Sequence, residues 1–174
     1  LCTCFYQCGN LASAYQHKEI IFDVPKTISC GTNAFLQTAI KKIFFANEVS
    51  IGAKCFSLCT NLKTVILGYE DENHNGINLP YVSAFNDNTP FASNYSGGII
   101  YVPKNAILWY ESATNWSSLN CRYCPIEKES FTGDGTTTTF TLTNNTTEVF
   151  GIKVGEEFPD YTLSENGVIT FAEA

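Results

Sequence analysis

The sequence predicts a mainly β chain: a coiled array of short parallel strands, joined by irregular and helical segments and ended by a capping helix, then a small antiparallel β domain. Three observations predict it. The pattern C-F-x-x-C-x-N-L occurs twice, as Cys4, Phe5, Cys8, Asn10 and Leu11 and again as Cys55, Phe56, Cys59, Asn61 and Leu62. A short β-branched run follows each aromatic of the repeat. Beyond Pro125 cysteine disappears and threonine becomes frequent, which divides the chain into residues 1–126 and 127–174.

Alignment on the aromatic gives "CFYQCGNLA", "NAFLQTAIKKIFF", "KCFSLCTNLKTVIL" and "TPFASNYSGGIIYVP", anchored by Phe5, Phe35, Phe56 and Phe91. Phe35 and Phe56 are 21 residues apart, and "TISCGTNAF" matches "EVSIGAKCF" through that step. The neighbouring steps are longer, so insertions are placed between Leu11 and Glu19 and over Gly68 to Thr89. The strands expected after the anchors are "IIFDV", "IKKIFF", "LKTVIL" and "GIIYV". A period of about 20–29 residues with one strand each is the mark of a leucine-rich-repeat solenoid, whose single units cannot bury their apolar face alone. The repeat core is expected to comprise Phe5, Cys8, Leu11, Phe35, Ile40, Phe56, Cys59, Leu62 and Phe91, with the four aromatics in one buried column and Cys8 and Cys59 in a neighbouring one. Thr38 stands where the other copies carry Cys8 and Cys59. The stretch "IIYVPKNAILWYESATNW" reads as a strand, a proline and a short amphipathic helix whose Ile107, Leu108, Tyr110 and Trp116 cover the open end of the core.

These residues, above all "IGAKCFSLCTNLKTVIL", resemble the BspA-like leucine-rich repeats over residues 1 to about 126. The resemblance implies a buried, packing role for cysteine at the positions of Cys8 and Cys59, as a small hydrophobe between turns of the coil. The chain starts inside a repeat and contains no methionine, so it reads as part of a longer one, with the solenoid truncated at its N-terminal end.

Composition narrows the function classes. Hydrophobic residues make up 44% of the chain, with nine Tyr and thirteen Phe, enough for a packed core. The net charge of -7 and the lack of a basic patch argue against a nucleic-acid partner. No apolar run approaches the roughly 20 residues of a membrane span, so no membrane insertion is expected.

Site chemistry is sparse. Of the eight cysteines, Cys121 and Cys124 in "CRYC" have metal-ligand spacing, but Cys2, Cys4 and Cys8, the nearest candidates for a second pair, belong to the opposite end of the array. A disulfide through Cys121 or Cys124 would need an oxidising compartment. "DENHNG" matches half of a calcium loop, with oxygens from Asp71, Asn73 and Asn75 and a turn at Gly76. Val82 stands where that loop needs its bidentate glutamate, and a polar turn accounts for the same residues. His17 and His74 fall in the insertions, Glu156 and Glu157 lie on a polar turn, and no nucleophile, zincin or phosphate-loop motif occurs. The expectation is a protein that is not an enzyme and holds no cofactor. Tyr69 and His74, beside the turn of the longest insertion, are the candidate binding residues, since rings next to hydrogen-bonding groups suit glycan and protein partners.

The last segment alternates in "TTTFTLT" and continues through "EVFGIKV", "DYTLS" and "GVITFA" with polar turns between, which predicts four or five short antiparallel strands completed by residues beyond Ala174. Phe131, Gly133, Asp134, Gly135, Thr138, Phe140, Thr141 and Leu142, with Val154, Gly155, Asp160, Tyr161, Thr162, Gly167, Ile169, Thr170 and Phe171, resemble a β module of bacteriophage tail, fibre and head-decoration proteins. Together the two resemblances imply a virion-surface appendage protein, whose solenoid binds a host-surface protein or glycan while the β module joins other virion proteins or further copies. A bacterial cell-surface adhesin of the same repeat type is the alternative.

Overall fold

The computed structural model describes residues 19–22, 28–69, 73, 76–77, 84–85, 91, 97–143, 149 and 161–172, the first segment and Ile28 by backbone alone. The described residues are mainly β, and the chain divides into two compact units, Leu1–Ile126 and Glu127–Ala174.

In the first unit, strands β1 (Glu19–Phe22), β3 (Lys42–Phe45), β5 (Thr64–Leu67), β6 (Gly98–Pro103) and β7 (Cys121–Ile126) form one parallel sheet in that spatial order. Two further strands, β2 (Ile28–Cys30) and β4 (Val49–Ile51), pair in parallel on the return paths, with Ile28 opposite Val49. The register runs Lys42, Thr64, Ile99, Arg122 across the larger sheet. Parallel neighbours need a long crossover, and here the crossovers into β3, β5 and β6 carry the turns that hold the repeat aromatics, whereas the one into β7 carries a helix.

Those turns lie side by side. Asn33, Phe35 and Gln37 donate their N–H groups to the carbonyls of Ala53, Cys55 and Ser57 at 3.2, 2.8 and 2.9 Å. The backbone repeats with the sequence: Asn33 and Lys54 have φ of 61° and 56°, and Gln37 and Leu58 have 59° and 60°. Non-glycine residues enter this left-handed region only when the surroundings compel it. Here the continuous bonding between neighbouring turns supplies the compulsion.

Phe35 and Phe56 stack with centroids 5.3 Å apart and planes 6° apart, and Ile40, Cys59 and Leu62 are fully buried beside them. The next ring is not Phe91. Phe85 stacks on Phe56 at 5.0 Å and 14°, and Phe56 N–H donates to the Ala84 carbonyl at 2.9 Å, as Phe35 N–H does to Cys55. The pair Ala84–Phe85 thus repeats Ala34–Phe35 and Cys55–Phe56, so the third step is 29 residues. Phe91 is buried too, but tilts 60° against Phe85 and lies over Gly98, where a β-carbon would run into its ring. Thr38 keeps its place in the cysteine column, its Oγ1 3.3 Å from Cys59 Sγ. Phe5, Cys8 and Leu11 lie outside the described residues.

The helix differs from expectation. A 3-10 turn over Lys104–Ala106 leads into helix α1 (Ile107–Ser112), where Tyr110 is fully buried and Ile107 half-buried, whereas Leu108 is 79% exposed. Positions 107 and 110 share a face at helical spacing and 108 lies about 100° round from 107. Ser112 Oγ donates back to the Leu108 and Trp109 carbonyls where the helix ends. The helix does not end the sheet, because β7 follows it and pairs with β6 from Gly98–Cys121 to Pro103–Ile126. Pro125 is tolerated there because β7 is the last strand of the described sheet.

The second unit contains a three-stranded antiparallel sheet, β8 (Thr139–Thr141), β10 (Val168–Phe171) and β9 (Tyr161–Leu163), with β10 central. Ile169 pairs with Phe140 and Leu163, and it is the one hydrophobic side chain buried among the described residues of this unit. Phe140 contacts Phe131 at 5.3 Å and Phe171 at 6.0 Å. Asp134 folds the "GDGTT" turn: its carboxylate accepts the N–H groups of Thr136 and Thr137 at 2.8 and 2.6 Å and both hydroxyls. The expected strand "EVFGIKV" lies almost wholly outside the described residues.

Candidate functional site

The long insertion is fastened to the end of the first unit. Ile77 N–H donates to Tyr110 Oη at 2.8 Å, and Trp116 Nε1–H donates to the Ile77 carbonyl at 2.6 Å. Both rings are fully buried, in edge contact at 5.0 Å, and Tyr123 stacks on Tyr110 at 5.8 Å. Burial raises the Tyr110 hydroxyl above the ordinary tyrosine range, while its bond to Ile77 N–H acts the other way. Tyr123 Oη donates to the Trp116 carbonyl at 2.9 Å and is likewise raised, chiefly by desolvation.

This fastening reassigns several residues that the sequence singled out. Gly76, read as the sharp turn of a calcium loop, lies against the rings of Tyr110 and Trp109, where a β-carbon would not fit. Asn73 is exposed in a turn, and Asp71 and Asn75 lie outside the described residues, as does His74. Tyr69 is half-buried and packs against the core, so part of its ring serves the fold.

The "CRYC" pair is a strand. Residues three apart on a strand point to opposite faces, and Cys121 packs toward the core with Tyr123, whereas Cys124 does not. Desolvation raises the Cys121 thiol to about 11. Cys59 is also raised by burial, and its thiol donates to the Phe35 carbonyl at 2.9 Å. Among the described residues no group of three or more His, Cys, Asp or Glu side chains is placed to hold a metal ion.

The parallel sheet has a second face, which the sequence reading missed. Ile43, Phe45, Val65, Leu67, Ile100 and Val102 point into the core. Their alternates Phe44, Ile66, Tyr101 and Cys124 are in register across four strands on the opposite face. Ile66 is fully buried yet stands outside the core cluster, between half-buried Phe44 and Tyr101. The adjoining row is Lys42, Thr64, Ile99 and Arg122. Because Ile66 is covered, the accessible part of this face is half-buried Phe44, Tyr101, Lys42, Thr64 and Ile99 with exposed Arg122, which sets apolar area beside cationic and hydroxyl groups. The signal was available in sequence as alternation within "KIFF", "TVIL" and "GIIYVP", masked because both faces carry apolar residues.

No protein-family model, curated protein or solved structure matches this chain.

Proposed function

We propose that this chain is a non-catalytic binding and assembly protein, built on a leucine-rich-repeat solenoid whose outer sheet face is the recognition surface. The observation that carries this reading is the partly exposed row Lys42, Thr64, Ile99 and Arg122 beside half-buried Phe44 and Tyr101, assembled from equivalent positions of successive strands. Stacked repeats make such extended surfaces because each unit contributes the same position to one face. The 21-residue step, repeated in both backbone angles and ring stacking, supports the solenoid itself. The setting we infer is a bacteriophage virion surface, with residues 127–174 as the assembly module; this rests on the resemblance of "FTGDGTTTTFTL" and "DYTLSENGVITF" to phage β modules. The partner class is a host-surface protein or glycan.

The experiment uses the whole chain as bait against purified phage particles and against bacterial envelopes, comparing parent with Tyr101→Ala. Loss of a central aromatic contact of about 2 kcal/mol corresponds to roughly thirtyfold weaker binding. A folded Tyr101→Ala protein that holds every partner as tightly as the parent would exclude the sheet face. Recovery as a component of bacterial envelopes, and never of particles, would move the setting to the cell surface.

A further inference from the structure

Cys30 and Cys55 belong to different turns of the chain, yet the fold brings their thiols together. In the β2–β4 pair Cys30 lies opposite Ile51, and Gly52 N–H donates to the Cys30 carbonyl at 2.8 Å. The turns that follow run side by side, with Asn33 N–H on the Ala53 carbonyl and Phe35 N–H on the Cys55 carbonyl. This 21-residue offset sets Cys55 beside Ala34. Ala34 N–H donates to the Gly31 carbonyl at 3.2 Å, which closes the turn that follows Cys30. Across the two turns the Cys30 and Cys55 thiols hydrogen-bond to each other. Both residues are free cysteines of the same core cluster, Cys30 at 5% exposure and Cys55 at 0%. The other described cysteines are placed differently: the Cys59 thiol is bonded to the Phe35 carbonyl, and Cys121 and Cys124 face opposite sides of β7.

We propose that Cys30 and Cys55 are a covalent cross-linking site, closed to an intrachain disulfide by an organic disulfide of the glutathione class. The Cys30 thiolate attacks one sulfur of the organic disulfide, forming a mixed disulfide and releasing one organic thiolate. That thiolate takes the Cys55 proton. The Cys55 sulfur then attacks the Cys30 sulfur of the mixed disulfide, forming the intrachain bond and expelling the second organic thiolate, which is protonated from solvent. The cysteine pair has lost two electrons and two protons, and the organic disulfide has become two thiols. The exchange belongs to folding, before the turns close over the pair. The bond would join successive turns across the edge formed by β2 and β4.

The test is to unfold the whole chain and refold it in mixed reduced and oxidised glutathione. Remaining thiols are alkylated, and the folded monomer is digested and mapped by mass spectrometry. The expected result is a linked peptide pair joining Cys30 to Cys55, with two of the eight thiols protected from alkylation. The Cys121→Ser, Cys124→Ser double variant should give the same link. Eight alkylated thiols across the whole range of oxidised glutathione, or a link mapping to any other pair, would overturn the proposal.

Discussion

Replacing Phe56 with alanine empties the middle of the aromatic stack. The ring has no exposure and lies between Phe35 at 5.3 Å and Phe85 at 5.0 Å, nearly parallel to both. Truncating a buried phenylalanine costs about 3–5 kcal/mol, combining lost transfer energy with the cavity left behind. Ring pairs contribute roughly 0.5–1.5 kcal/mol each beyond burial, and Phe56 forms two, so the expected loss lies near the top of the range, about 5 kcal/mol. Collapse cannot refill the site, because the backbone bonds from Phe35 to Cys55 and from Phe56 to Ala84 hold the turns at fixed spacing. The assay is urea unfolding followed by tryptophan fluorescence. Trp109 and Trp116 are the two tryptophans of the chain and both fall in the Leu1–Ile126 unit, so the signal reports that unit alone. With a urea dependence of about 2 kcal/mol per molar, the midpoint should fall by roughly 2 M or more. A domain at the low end of the ordinary range of about 5–15 kcal/mol would retain little. A loss under about 1 kcal/mol, the scale of a surface substitution, would show that the stack is not the core of this unit.

Tyr110→Phe should cost about 1–3 kcal/mol in the same assay, because Ile77 N–H loses its buried acceptor while the ring packing is kept. Gly98→Ala should cost about 1–3 kcal/mol in that assay by forcing the Phe91 ring aside. In the second unit the Asp134 carboxyl is held below the usual carboxylate range, first by Thr137 N–H, then by Thr136 N–H and the two hydroxyls. A lowered folded pKa means that the contribution of Asp134 is complete above the unfolded aspartate value of about 3.9 and is lost as pH falls below it toward the folded value. Amide shifts of Thr136 and Thr137 should therefore hold steady down to that value and titrate only below it, and Asp134→Asn should abolish the titration; a midpoint at the ordinary aspartate value would contradict the turn geometry.

How far the sequence could be read depended on whether its physical signals were local. The step from Phe35 to Phe56 was legible because an unbroken unit repeats its glycine, aromatic and strand at one spacing. Phe85 was passed over because spacing to the following strand favoured Phe91, which precedes Ile99 by eight residues as Phe56 precedes Thr64. The small-then-aromatic pair Ala84–Phe85 was the better guide, since what recurs is the backbone bond to the residue before the ring. Leu108 was assigned to the core from its apolarity, although its helical position turns it away from Tyr110. "CRYC" has the spacing of a metal knuckle, but parallel pairing with β6 draws it into a strand and separates the two thiols.

The outer sheet face and the Cys30–Cys55 contact were illegible for a common reason. Both depend on which residues of different turns become neighbours, and that is set by register rather than by any run of adjacent residues. Once the offset is known, 21 residues through the turns and 22 in the sheet, the neighbour of each side chain follows: Ala34 beside Cys55 and Thr38 beside Cys59, then Phe44 beside Ile66. In such a chain an insertion, even one that stretches the step from 21 to 29 residues, leaves these neighbours unchanged if it returns the next aromatic to the stack. Phe85 does so, and the paired bonds from Ile77 to Tyr110 and Trp116 anchor the excursion on the way. The proposed recognition surface can therefore sit on the sheet while the insertion varies in length, because the fastening residues Tyr110 and Trp116 lie on α1 and the turn after it and not on the strands that carry the outward row.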